Sequence, residues 1–270
     1  MADNVTLTRT GMIATVTLNR PDRRNSLSDA MLTELAAAFV ELRDDAETRV
    51  VIVTGAPPVF SAGADAPHAR AKTEEERRRL FTSRKSQFRR FFERANTLLE
   101  NLEQATICMI NGHAVGGGWG LTLACDFRIA ADTAWFGLME PKRGLVPGAA
   151  IQLFPRMLNY GDASWMLLTA ARVEAADALR IGLVQQVVPA AELMDVAMKT
   201  AQDMCAMSQV SLQLIKSVLR QQRDRGLAES LDYGLALSRL MNLGDDVDEG
   251  INAFREKRDT NFTNRWPDQK

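Results

Sequence analysis

Ile110-Asn111-Gly112-His113-Ala114-Val115-Gly116-Gly117-Gly118-Trp119-Gly120 decides the fold class. It begins at the end of a short apolar run, residues 107–110, that has the length and branching of a buried strand. A loop of small residues follows, and then an apolar, helix-like stretch to Cys125. A second segment has the same plan. Val51-Ile52-Val53-Thr54-Gly55 runs into Phe60-Ser61-Ala62-Gly63-Ala64-Asp65. Strand, tight loop and helix in direct succession is the α/β order. Loops of small residues bare their backbone N–H groups and let a ligand come close. The first turn of a helix adds free N–H groups and a partial positive charge. Two such donors aimed at one point would make an oxyanion hole.

Taken alone, three glycines in a row read as a tight turn. They are not a Walker loop, because no GK[ST] follows. Nor are they a dinucleotide fingerprint, since the glycine spacing is wrong and no acidic residue stands at the ribose position.

Working outward, residues 5–8 and 12–18 alternate around Gly11 and predict a hairpin. Ser28 or Asp29 can cap a helix carrying Met31, Leu32, Leu35, Phe39 and Leu42 at helical spacing. Residues 73–103 form a long helical pattern that includes Leu80, Phe81, Phe88, Phe91, Phe92, Leu98, Leu99 and Leu102. Residues 126–130 predict a strand, and Trp135-Phe136-Gly137 follows a turn. Beyond Gly148 the pattern is helical apart from a strand at 184–188.

The chain has 270 residues, 46% hydrophobic and 25% charged, enough for a large core without staples. A net charge of −1 argues against bulk attraction to nucleic acid or anionic membrane. Three dispersed cysteines and two histidines predict neither a disulfide framework nor a zinc site. There is no signal-peptide pattern and no apolar run of membrane-spanning length, so a soluble, cytoplasmic protein is expected.

Seven pieces in order resemble the crotonase (enoyl-CoA hydratase/isomerase) superfamily along nearly the whole chain. They are Asn19-Arg20-Pro21-Asp22-Arg23-Arg24-Asn25-Ser26-Leu27-Ser28; Phe60-Ser61-Ala62-Gly63-Ala64-Asp65; residues 111–118; Ala124-Cys125-Asp126-Phe127-Arg128-Ile129-Ala130-Ala131; Phe136-Gly137 with Glu140, Gly144-Leu145 and Pro147-Gly148; residues 175–188 with Ile181-Gly182-Leu183-Val184; and Glu249-Gly250-Ile251 with Ala253-Phe254 and Lys257-Arg258.

The resemblance implies an α/β crotonase (ClpP-like) spiral of ββα units over residues 1–200. A C-terminal helical trimerisation region, residues 201–270, would complete it. It implies an acyl-CoA thioester substrate, with coenzyme A arriving as part of that substrate and no separate cofactor or metal. A homotrimer or dimer of trimers is expected. The implied catalytic set is Ala64 and Gly117 as oxyanion N–H donors and Glu140 as proton carrier. Arg23, Arg24, Ala62, Gly116, Gly120 and Lys257 are the implied substrate-binding positions.

The family's hydratases carry a second glutamate two residues after the triple glycine, where this chain has Gly120. Adding water is easiest with two carboxylates, whereas moving a double bond needs one base. Double-bond isomerisation is therefore the expected reaction, with hydration or a hydroxycinnamoyl-CoA hydratase-lyase as alternatives. The lyases hold a phenol with tyrosines; this chain has Tyr160 and Tyr233, and Tyr233 reads as helix packing. Gly120 could equally enlarge the acyl pocket. Pro67-His68 stands where the family often has a lysine. His113, Asp126 and Arg128 read as structural, the last two as a strand-end pair. Residues 70–94 hold ten Lys/Arg against four Glu. That stretch raises an RNA-binding member of the fold as an alternative class, and a catalytically silent acyl-CoA binder is a further one. The buried stripe of phenylalanines favours a solvated helix face instead.

Overall fold

The computed structural model describes residues 3–65, 73–75, 78, 87–148, 150–242 and 244–263. Strands β1 (Val5–Thr10) and β2 (Ile13–Leu18) form the expected antiparallel hairpin. β2 then starts a parallel ladder with β3 (Val50–Gly55), β4 (Ala105–Ile110), β6 (Phe127–Ala131) and β9 (Gln186–Val188). β3 and β4 are buried at every residue. That is what a parallel strand covered on both faces requires, and it explains why they read as continuous apolar runs.

A second, smaller ladder runs beside the first. β5 (Ala114–Val115) pairs in parallel with β7 (Trp135–Gly137), which pairs antiparallel with β8 (Arg172–Glu174). Single bridges extend it backwards, Ser61 to Ala114 and Leu27 to Ala64. Each repeat thus lays one strand in the large sheet and one short rung in the small ladder before its helix. The sequence pattern missed β5 and β8 as strands. At two and three residues they are too short to show a period.

Helix α1 (Asp29–Arg43) is capped by Ser28, whose hydroxyl accepts from Met31 N–H, and all five apolar residues named for it are buried. Helix α2 (Gln87–Glu100) packs on α1 and buries Phe92, Ala95 and Leu99. The rest of the expected 73–103 helix, with Leu80 and Phe81, lies largely outside the described residues, as do the side chains of Phe88 and Phe91. The same holds for Pro67, His68, Arg70, Lys72, Arg77, Arg79, Arg84 and Lys85. Helix α3 (Gly117–Thr122) follows the triple glycine.

Helices α4 (Ala150–Met157), α5 (Tyr160–Thr169) and α6 (Ala175–Arg180) precede β9. Helix α7 (Leu193–Cys205) crosses the boundary expected at residue 200 and lies against the large sheet, burying Leu193, Ala197, Ala201 and Cys205. Three helices complete the chain: α8 (Gln209–Gln221), α9 (Leu227–Met241) and α10 (Asp245–Glu256). Helix α9 buries no residue, and it exposes Leu227, Leu231 and Leu235.

The charges of Asp126 and Arg128 near the sheet are structural, but they are not one pair. Asp126 accepts from Thr106 N–H and hydroxyl and meets Lys216 at 2.7 Å and Arg220 at 3.5 Å. Arg128 is buried and donates instead to the carbonyls of Leu183, Cys125 and Thr122 and to Gln185. Among the described residues no group of side chains could hold a metal ion, and no helix is long and apolar enough to cross a membrane.

Candidate active site

The register of the small ladder assembles the site. Ser61 is bridged to Ala114, so residues three further along each chain, Ala64 and Gly117, become neighbours. Backbone meets backbone there. A Cβ on Gly63 (φ +86°) would stand 2.5 Å from Val115 O and 3.4 Å from Gly117 N, and one on Gly117 would lie 3.8 Å from Ala64 N. Only glycine allows this approach at Gly63, by both conformation and space. Among the described residues, neither Ala64 N–H nor Gly117 N–H has an acceptor. Two unpaired N–H groups side by side are what an oxyanion needs.

The loop carrying Ala64 is fastened from below by the segment after the hairpin. Asn25 is fully buried with φ 51°, and its amide donates to Ala56 O and Val59 O while accepting from Arg20 N–H. Its backbone carbonyl accepts from the Ser61 hydroxyl, which itself accepts from Gly63 N–H. Arg20 reaches Ser26 O and forms an ion pair with Asp65 at 3.1 Å. Gly118 completes the fit, since a Cβ there would lie 2.5 Å from Ser61 Cβ. No role for Asn25, Ser61 or Arg20 is legible in the sequence. Their hydrogen bonds span up to 45 residues and leave no periodic trace.

Glu140 enters from the end of β7. Val115 is in register with Gly137, and Gly116 N–H donates to Gly137 O at 2.9 Å. The chain then turns at Glu140 into a short 3-10 turn, Pro141–Arg143. Glu140 Oε1 lies 2.7 Å from where a Cβ on Gly116 would be, and its Oε2 is buried without a hydrogen-bond partner among the described residues. Burial raises the Glu140 pKa, against the opposing pull of its own backbone N–H and of Arg143. A half-buried carboxylate of raised pKa beside two free N–H donors can take a proton from carbon and return it.

The implied binding positions divide. Gly116, at φ +53°, spends its N–H on β7, so its part is to make room for Glu140. Ala62 donates its N–H to Arg24 O at 2.9 Å, and its carbonyl accepts no hydrogen bond among the described residues. Arg23 and Arg24 are exposed, Arg23 against Asp22 at 3.7 Å. Arg24 is close enough to His113 to help lower its pKa, after burial. His113 packs structurally, stacked on Trp135 with ring centres 5.0 Å apart. Lys257 is the exposed left-handed cap of α10. Gly120 faces the Phe92 ring: a Cβ there would meet Phe92 Cζ at 3.0 Å, so the ring would have to give way to it. Tyr233 is helix packing, its hydroxyl bonded to Ser217 and Gln221, and Tyr160 is 81% exposed. A groove of about 580 Å³ among the C-terminal helices, lined by Asp246, Ile251, Phe254 and Phe262, shares no residue with this site.

Known proteins carry the same arrangement of chain. A family model described as enoyl-CoA hydratase/isomerase matches residues 8–265. The short-chain-enoyl-CoA hydratase of Clostridium acetobutylicum is 35% identical over 263 residues, covering 95% of this chain and 96% of that one. A crystal structure of an enoyl-CoA hydratase from Bacillus anthracis superposes with a TM-score of 0.89 at 33% identity, over 97% of this chain and 100% of that one. A monofunctional enoyl-CoA isomerase from M. smegmatis superposes with a TM-score of 0.71 at 33% identity, over 85% and 98%. The fold is therefore the crotonase fold anticipated from the motifs, and this chain belongs to the enoyl-CoA hydratase/isomerase family.

Proposed function

We propose that this protein isomerises an enoyl-CoA, moving a 3,4 double bond into conjugation with the thioester. Ala64 and Gly117 N–H bind the thioester oxygen and hold the enolate. Glu140 takes the α-proton and returns it at the γ-carbon. The observation that carries this reading is that, among the described residues, one carboxylate borders the glycine loop. Among the described residues Glu140 borders Gly116, while Asp65 is turned to Arg20 and a phenyl ring covers Gly120. The raised pKa of Glu140 suits proton exchange near neutral pH. Each N–H donor would be worth about 3–4 kcal/mol of barrier.

Coenzyme A belongs to the substrate in this reading, so no separate cofactor takes part. Arg23, Arg24, Ala62 and Lys257 would meet its nucleotide end. The exposed Leu227, Leu231, Leu235 and Phe254 fit an assembly of three copies, or two such trimers, in the cytoplasm.

Hydration of a 2-enoyl-CoA is the second reading, favoured by the names of the Clostridium and Bacillus relatives. The deciding experiment gives wild type and Glu140→Ala a 3-enoyl-CoA and a 2-enoyl-CoA and follows conjugated-thioester absorbance and product mass. Isomerisation appears as conjugation of the 3-enoyl substrate at constant mass, abolished by Glu140→Ala. Water gained by the 2-enoyl substrate, with the 3-enoyl one untouched, would sink the isomerase reading.

A further inference from the structure

Gly116 and Gly120 lie one turn apart on the same face, linked by Gly120 N–H donating to Gly116 O at 2.9 Å. Together with Gly117 they form a strip of bare backbone at the start of α3. Its two ends are covered by different chemistry. The Glu140 carboxylate stands over Gly116. The Phe92 ring stands over the other end, its Cε2 3.6 Å from a Cβ position on Gly117 and its Cζ 3.0 Å from one on Gly120. Phe92 is 8% exposed and shares the buried stripe of α2 with Ala95 and Leu99, so the ring is held by the core. A side chain at position 120 would have to displace it.

We propose that Phe92 is a specificity-determining residue, whose ring takes the volume of a side chain at position 120 and so keeps a second carboxylate, with the water it would hold, out of the site. This rests on the reading of Glu140 as proton carrier. With an apolar ring in that place, a proton that leaves carbon returns to carbon, because among the described residues no second carboxylate stands there to hold and deprotonate a water. Absence of the family's first glutamate and presence of Phe92 are then one feature seen from two helices.

The test uses the full chain with Phe92→Leu, which withdraws the ring's outer carbons yet keeps an apolar side chain in the core. Packing is read first, free of catalysis, by introducing Gly120→Ala into wild type and into Phe92→Leu. The change in thermal midpoint should be more favourable by about 3 °C in the Phe92→Leu background. Equal changes in the two backgrounds would show that the ring does not own this space. Reaction choice is read next, with Gly120→Glu alone and combined with Phe92→Leu. The combined variant should hydrate a 2-enoyl-CoA about tenfold or more faster than Gly120→Glu alone. If Gly120→Glu alone hydrates as fast, or the combined variant gains no hydration despite coupled midpoints, Phe92 does not set the reaction. Failure of the one-base reading would look different: wild type itself would hydrate, with the midpoint coupling intact.

Discussion

The Glu140 carboxylate rests against the bare backbone of Gly116, with Oε1 2.7 Å from the point where a Cβ on Gly116 would stand. The glycine run therefore has two separate duties. Gly117 bares an N–H, and Gly116 leaves room for the Glu140 carboxylate.

Gly116→Ala should cost about 100-fold in kcat, because a displacement of Glu140 on the order of 1 Å spoils proton transfer. The φ of +53° adds strain. Steady-state kinetics beside a thermal melt checks this. A kcat within a factor of two of wild type would mean that Glu140 is not positioned by this contact.

Glu140→Gln should be inactive yet more stable than wild type at neutral pH. Burial raises the Glu140 pKa, so the ionised form is the one that opposes folding. Below its unfolded value, about 4.3, both proteins carry a neutral side chain and their midpoints should agree. As pH rises through the raised folded value, wild type should fall below the variant. Melting curves across that range read the gap, and a gap of opposite sign would refute a destabilising burial of Glu140.

Asn25→Ala should lower stability by about 3 kcal/mol. It strips the donors from the carbonyls of Ala56 and Val59 and the acceptor from Arg20 N–H, at a left-handed position that asparagine tolerates better than alanine. Urea denaturation should show a lower midpoint at unchanged slope. Activity of the folded fraction should change little, since the Ser61 hydroxyl that accepts from Gly63 N–H is held by the backbone carbonyl of Asn25, which alanine retains.

Lys216 offers a test far from the chemistry. Burial lowers its pKa from 10.5 to about 8, although Asp126 at 2.7 Å opposes the shift. The folded protein sheds this proton before the unfolded chain does, so wild type gains stability as pH rises from about 8 towards 10.5. Lys216→Met lacks that gain. The midpoint difference, wild type minus variant, should therefore grow over this interval, and a constant difference would mean that Lys216 keeps its ordinary pKa.

Strand and helix identity was legible locally. β3 and β4 are fully buried parallel strands, and buried strands are apolar without interruption. Helix α1 shows its cap and its stripe in a single stretch, Ser28 to Leu42. The loops around Ala64 and Gly117 could be found because close backbone approach leaves only small residues, whereas Glu140 was implied by the family resemblance alone. What no window of sequence contains is register. The Ser61–Ala114 bridge and the Val115–Gly137 pair, each a long-range contact, bring the three site residues together. The same limit hid Asn25, whose partners are 31 and 34 residues away. It also hid the neighbour of Gly120, for a glycine reads as empty space until the side chain beside it is known. Phe92 stands 28 positions earlier on another helix, and only the packing of α2 onto the glycine turn puts its ring there. The sequence by itself determined the elements and the chemistry available to them, because propensity, capping and burial are local. Tertiary structure alone decided which groups meet, because contact between distant segments is a property of the packed core.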